Sequence, residues 1–442
     1  MMSWDQKTLG SITVLILAFI IRLCGIVVTN LTNLNPDHGS DTVGYAKRAE
    51  RIATGEIPVI EALTSLGAYE TWGVFLSPFW LLPGPSEIYA QLFTAALGAL
   101  AVYNVYLIAA HYHSPTAGLL AAIPLLIFPS FVAIQSTILR DTAIIVGLTT
   151  SVRLVIIPGQ GHPTVRVGVA LLAVGFAGIL RFENSPVYAA TLAVGMAFYI
   201  VQWRRECAAL IVAAVPASYY LYFNYLLDFF VDTIYRGHRG NEGFLDFIIF
   251  SRAARIREQE RGARTGYLID HLPETLTGVV AFAPVGAIYF LYVPFPWMVE
   301  TPIDLIVSLE GLVAMAYTVF AAFGVWYMRK RQLPATVALI AGFLTFVVIY
   351  GFISVNVGTS VRQRQPIIWV LFLFGGIGLA ERFEGQLEAA TDRLRDEYTT
   401  RVAPLYAREE ANEPTPTKSD TVEEADELDL SEYKQFPRNE RK

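Results

Sequence analysis

SITVLILAFIIRLCGIVVT, residues 11–29, decides the fold class of this chain. It is one apolar run, broken only by Arg22, and it matches the roughly 20 residues that an α-helix needs to cross a bilayer. Further runs of the same kind lie at residues 88–110, 305–328 and 335–353. Over all 442 residues the composition is 54% hydrophobic and 16% charged, with mean hydropathy +0.45. A soluble domain carries about 25% charge. Alternating strand-type segments of the sort that build an outer-membrane barrel are absent. The chain therefore reads as an all-α polytopic membrane protein.

The net charge of −6 is unevenly spread. Residues 383–442 hold 16 acidic and 9 basic side chains, which leaves the first 382 residues close to neutral. That stretch also contains Pro404, Pro414, Pro416 and Pro437, so it reads as an acidic, largely disordered cytoplasmic tail with a helical start. An acidic extension repels nucleic acid, and no nucleic-acid partner is expected. Cys24 and Cys207 lie in separate apolar runs without a CxxC or CxxH neighbour. They read as buried core thiols rather than a metal or redox motif. The first apolar run reads as a retained span rather than a cleaved signal.

Arg204-Arg205, Arg329-Lys330-Arg331 and Arg382 flank apolar runs, and the positive-inside rule puts them in the cytoplasm. Working from these anchors predicts about ten spans, near residues 10–29, 88–110, 116–134, 139–157, 165–182, 186–203, 207–227, 303–328, 335–354 and 366–381. Both termini are then cytoplasmic. Two long outer loops, about 30–87 and 228–302, complete a membrane domain over residues 1–382. The first loop carries an amphipathic helix over residues 42–54 and a short apolar run at 72–82, too short to cross and so re-entrant or interfacial. The second begins basic, with Arg252 and Arg255, and ends in a Pro-interrupted apolar stretch at 276–299 that dips in from outside. No internal repeat of the kind common in secondary transporters is visible.

An ionisable group at membrane depth costs about 2.5–3.5 kcal/mol on insertion scales, so each needs a reason. The predicted topology brings Asp37, Asp41, Arg140, Asp141, Arg181, Glu183, Arg362 and Arg364 to one outward face. Each has a plainer role open to it. Arg140-Asp141 suits a helix N-terminus, Arg181 and Glu183 can pair with each other, and Arg362 and Arg364 can anchor a helix end at the headgroups. Arg22 reads as a structural tether. Asp37, His38 and Asp41 together suit a divalent cation without selecting one, although a loop histidine is the commoner case.

On these residues the chain resembles the GT-C superfamily of membrane glycosyltransferases, in the style of family 39 and of members that use polyprenyl-phosphate sugars. The likeness is carried by Ser40-Asp41-Thr42-Val43-Gly44-Tyr45-Ala46 in the first outer loop and by the short apolar segment ending at Gly84-Pro85-Ser86. It is carried further by the run from Ala117 to Arg140-Asp141, by Arg181-Phe182-Glu183-Asn184, and by Arg362-Gln363-Arg364-Gln365-Pro366. The resemblance is diffuse and covers roughly residues 11–381. Where relatives carry a paired acid in the first loop, this chain has Asp41-Thr42.

The resemblance implies a GT-C-like helical bundle and transfer of a sugar from a polyprenyl- or dolichyl-phosphate donor to a glycan, lipid or protein acceptor. The site would face outward from a cell membrane, and the displacement would invert the anomeric centre. Asp41, or Asp37 in second place, would take the acceptor proton. Arg362 and Arg364 would steady the departing phosphate, helped by Arg181 or Arg140. Glu183, Asp141 and Tyr45 would complete the substrate site. No cofactor beyond that cation is expected. Two other readings fit the same charges: a lipid-linked oligosaccharide flippase or other transporter, and an envelope polysaccharide polymerase or ligase using a pyrophosphate-linked glycan. A scaffold subunit with a degenerate site is the plainest alternative.

Overall fold

The computed structural model describes residues 4–32, 40–65, 67–157, 162–181, 244–260 and 265–397. Predicted spans 186–203 and 207–227, Asp37, His38, Glu183, Cys207 and the tail beyond 397 lie outside the described residues. The described residues are helical throughout, with one isolated bridge between Gly266 and Asn356. Numbered in order, the first helices are α1 (Trp4–Leu31), α2 (Ser40–Ala53), α3 (Val59–Thr64), α4 (Ala68–Trp80) and α5 (Ser86–Tyr112). Next come α6 (Pro115–Ile127), α7 (Pro129–Gln135), α8 (Asp141–Ile156) and α9 (Pro163–Leu180). The last are α10 (Phe244–Glu260), α11 (Leu276–Tyr292), α12 (Pro302–Arg331), α13 (Leu333–Ile353) and α14 (Val357–Glu397).

Five of these helices are long and apolar enough to cross a membrane, or six if the bent pair α6–α7 is one span. The chain is thus a helical membrane protein. The predicted span at 165–182 corresponds to the shorter apolar helix α9, and that at 139–157 to α8, a 16-residue helix that is not one of the five. The chain divides into two units, Met1–Phe383 and Glu384–Lys442. Of the second, residues 384–397 are described, and they are helical.

The predicted continuous span at 116–134 is corrected. It breaks at Phe128 and turns by 69° between α6 and α7. Pro129 has no N–H to donate and disfavours helical backbone in the residue before it; Phe128 is accordingly extended, at φ −63° and ψ 119°. The break is sealed by Glu310 of α12, whose carboxylate accepts from the Ser130 N–H at 2.7 Å and the Ser130 hydroxyl at 2.5 Å.

The broken segment predicted at 276–299 is a 17-residue helix, α11, followed by a 3₁₀ turn at Pro296–Met298. Tyr292 at its end shares a hydrogen bond of 2.6 Å with Thr318, well inside α12. The chain then turns back to start α12 on a capping box of Thr301 and Asp304. The run at 72–82 forms α4, a 13-residue helix.

Helix α14 is central: 78% of its best apolar window is buried, against 22% for α1. Phe372 of α14 meets Phe128 and Tyr317 edge to face. Gly324 of α12 and Gly378 of α14 let these two backbones touch, since a Cβ at either would overlap the other helix's main chain. Helix α1 instead leaves Ile12, Ile16, Leu17, Ile20 and Val27 exposed, as a lipid-facing stripe would be. Cys24 is exposed on the same helix, which corrects its reading as a core thiol.

Arg22 is fully buried and tethers three elements. It donates to Gln135 of α7, to the Ala18 carbonyl at 2.8 Å and to the Leu125 carbonyl of α6 at 3.2 Å. A guanidinium is suited to this because its donors fork toward several acceptors at once.

Candidate functional site

The segment between α1 and α5 places its acid with two helices. Helices α2 and α4 pack on each other, and Arg48 of α2 pairs with Glu70 of α4 at 3.0 Å. The fully buried Trp72 of α4 donates its indole N–H to the Ile138 carbonyl at 2.7 Å, which fastens the pair to the start of α8. Gly44 is required on α2: a Cβ there would come within 2.5 Å of the Tyr69 ring. That close approach lets Tyr69 donate its hydroxyl to Asp41 Oδ1 at 2.7 Å.

The second carboxylate oxygen of Asp41 accepts from Arg362 at 2.8 Å, and the same guanidinium donates to Asp141 at 2.9 Å. Arg362 thus bridges an acid of the first loop and an acid at the first turn of α8. Asp141 is fully buried and also faces Arg181 at 3.1 Å. Arg140 donates to the Leu180 carbonyl at the end of α9 at 2.6 Å. Opposite charges on both sides are what make a buried carboxylate tolerable.

These groups line a cavity of about 370 Å³ whose wall includes Asp41, Tyr45, Tyr69, Arg140, Arg181, Arg255 and Arg362. Four guanidiniums line this wall against Asp41 on it and Asp141 and Glu258 paired to them from behind, so the cations exceed the acids by one and the cavity favours an anion. Burial on its own would raise the Asp41 pKa, but the hydrogen bonds from Arg362 and Tyr69 outweigh it and hold the group below its ordinary 3.8. Asp41 is therefore ionised at neutral pH. Donating to Asp41 raises the Tyr69 phenol, and burial raises that of Tyr45. Both tyrosines stay protonated, and their rings sit 4.9 Å apart.

The structure brings Asp41, Tyr45, Arg140, Asp141, Arg181 and Arg362 together. Arg181 takes Asp141 as a partner, an arrangement the local Arg181–Glu183 spacing did not point to. Arg364 lies elsewhere. It is buried and donates to the Leu291 and Val293 carbonyls at 2.9 and 2.7 Å, which holds the end of α11. The reason is helical geometry: two residues along a helix turn a side chain by about 200°. Replacing Arg364 with lysine is expected to strand a carbonyl and lower stability by about 1–3 kcal/mol. Thermal unfolding in detergent would show it; an unchanged unfolding temperature would overturn this anchoring role.

Two residues of the site carried no signal in the local sequence. Tyr69 sits on a short apolar helix that reads as membrane-interfacial, and only its spacing from Trp72 and Leu76 marks it as facing α2. Arg255 belongs to a basic stretch with Arg252, Arg257, Arg261 and Arg264, of which Arg252 turns inward. Arg252 donates to the carbonyls of Leu268, His271 and Phe352, and lies over the Phe282 ring at 4.4 Å. Among the described residues no cluster of three His, Cys, Asp or Glu side chains could hold a metal ion, and two members of the expected cation set lie outside them.

The opposite end of the bundle is marked by different chemistry. His113 at the end of α5 lies 3.2 Å from Glu381 of α14 and packs on Tyr327, next to the basic end of α12. Glu381 follows Arg362 along α14 by about 28 Å at 1.5 Å per residue, close to the thickness of a hydrocarbon core. No known protein family, curated protein or solved structure matches this chain.

Proposed function

We propose that this protein is a membrane glycosyltransferase that moves a sugar from a polyprenyl- or dolichyl-phosphate donor to a hydroxyl acceptor. The observation that carries the reading is one cavity whose wall holds the carboxylate of Asp41 beside four guanidiniums, of which Arg181 and Arg362 also pair with Asp141 and Arg255 with Glu258. Such a set suits a reaction that needs a proton acceptor and a resting place for a lipid phosphate. The diffuse GT-C resemblance points the same way.

In this reading the acceptor oxygen attacks the anomeric carbon, and the bond from that carbon to the phosphate oxygen breaks. The phosphate leaves with the electron pair, and the acceptor proton passes to Asp41. A carboxylate has about four lone-pair sites, so Asp41 can accept the acceptor hydroxyl while Tyr69 and Arg362 keep it oriented. Arg140, Arg181 and Arg362 offset the charge that grows on the phosphate, and Arg255 closes the rim. Asp141 takes no proton; it positions Arg362 and Arg181. The opposite helix ends carry the basic run Arg329–Lys330–Arg331, so by the positive-inside rule the site faces away from the cytoplasm.

The test is donor choice. The protein in liposomes is supplied with hexosyl and pentosyl polyprenyl monophosphates and, separately, with a pyrophosphate-linked oligosaccharide. Release of polyprenyl phosphate from a monophosphate donor is the expected result. Turnover of the pyrophosphate donor alone would favour a polymerase or ligase. Movement of intact lipid-linked glycan across the bilayer would favour a flippase.

A further inference from the structure

Beside the cationic cavity lies a smaller one of about 150 Å³, and the two share Arg255, Thr359 and Gln363 as a common wall. Their chemistries differ. The small cavity is lined by the amides of Gln259, Asn356 and Gln363, by the hydroxyls of Ser354 and Thr359, and by the Arg255–Glu258 pair, which closes on itself at 2.8 Å. It has no net charge to offer an anion, and its volume is that of on the order of five water molecules, enough for one sugar ring.

The amides are held in fixed directions. Asn356 donates to Gln259 Oε1 at 2.8 Å, and its own Oδ1 accepts from the Thr359 N–H at 3.0 Å. Ser354 donates to Gln363 Oε1 at 2.9 Å, which leaves the Gln363 amide N–H groups as donors without a partner among the described residues. The frame beneath is braced. Tyr267 N–H donates to the Val355 carbonyl and Val357 N–H to the Thr265 carbonyl, at 2.9 and 3.0 Å. Arg252 ties the loop of Leu268 and His271 to Phe352 beside them.

We infer that this smaller cavity is the subsite for a neutral, hydroxyl-rich acceptor: a glycan whose vicinal hydroxyls pair with the preset amides and whose attacking hydroxyl reaches across the shared wall toward the cationic cavity. The assignment rests on reading that cavity as the donor site. Oriented neutral amides and hydroxyls match sugar hydroxyls, each of which both donates and accepts, whereas a lipid phosphate goes to the guanidiniums next door.

The full-length protein in nanodiscs would be probed by hydrogen–deuterium exchange with two ligands, a panel of neutral trisaccharides and polyprenyl phosphate. At least one trisaccharide is expected to protect residues 251–260 and 353–359. Gln259→Leu removes the acceptor that fixes the Asn356 amide; it is expected to weaken that trisaccharide by about tenfold, the scale of one lost neutral hydrogen bond, and to leave polyprenyl phosphate binding as it was. Ser354→Ala, a smaller change, gives the same reading if Gln259→Leu does not fold. The inference is overturned if no trisaccharide protects these segments, or if both variants bind it normally. Polyprenyl phosphate reports on the donor reading independently: if it protects nothing around Asp41 and Arg362, that reading fails, whatever the trisaccharides do.

Discussion

Replacing Arg362 with alanine is expected to remove activity and destabilise the fold in one step. Its guanidinium is the shared partner of Asp41 and Asp141, at 2.8 and 2.9 Å. Without it two carboxylates face each other across the same small space, one of them fully buried. A buried charge left with no partner costs about 3–5 kcal/mol; Asp141 keeps Arg181 at 3.1 Å, so the loss should fall below that range. Transfer should fall by about 10²–10³, the scale of losing one preorganised donor to developing charge.

The two effects can be separated. Adding Asp141→Asn to Arg362→Ala removes the repulsion between the two acids, at the cost of the Asp141–Arg181 pair, and should restore part of the unfolding temperature without restoring transfer. Arg362→Lys should fall between, since an ammonium is a point charge and cannot fork to both acids in this geometry. Unfolding temperature in detergent and turnover on a monophosphate donor are the two measurements. Full activity in a folded Arg362→Ala protein would take Arg362 out of the mechanism.

Asp41→Asn is expected to leave the protein folded and lower transfer by about 10²–10⁴, the usual contribution of a positioned base. The amide oxygen can still accept from Tyr69, and Arg362 keeps Asp141, so nothing charged is stranded. The pH profile supplies a second readout. Because Arg362 and Tyr69 hold Asp41 below 3.8, the stabilisation from this pairing is present above the ordinary carboxylate value and is lost only as pH falls through the lowered one. The acid limb of activity should therefore lie below 3.8, and Asp41→Asn should abolish it. A limb near pH 6 in the wild type would assign the proton to some other group.

How much of this was legible beforehand can be argued residue by residue. Helices α1, α5, α12, α13 and α14 follow from the length of their apolar runs, because a bilayer accepts backbone only in a form that satisfies its own hydrogen bonds. Helix α2 follows from amphipathic spacing. The bend between α6 and α7 was not read: residues 116–134 gave one straight apolar span, and the break at Pro129 is held by the carboxylate of Glu310 reaching Ser130 from a distant helix. The acid and arginines at one end of the bundle were legible as a group. Which arginine serves was not: Arg362 and Arg364 have the same chemistry and differ only in the side of α14 they project from.

Composition and periodicity by themselves determined that the chain is helical and that it belongs in a membrane. These are properties of single segments, governed by local hydrogen bonding and by transfer of apolar surface out of water. Only the packing of α2 on α4, with both fastened to α8 and α14, decided that Asp41, Tyr69, Asp141 and Arg362 form one connected set while Arg364 is turned away to hold the end of α11. Contacts of that kind join residues hundreds of positions apart, and no local pattern encodes which of two identical side chains will find its partner.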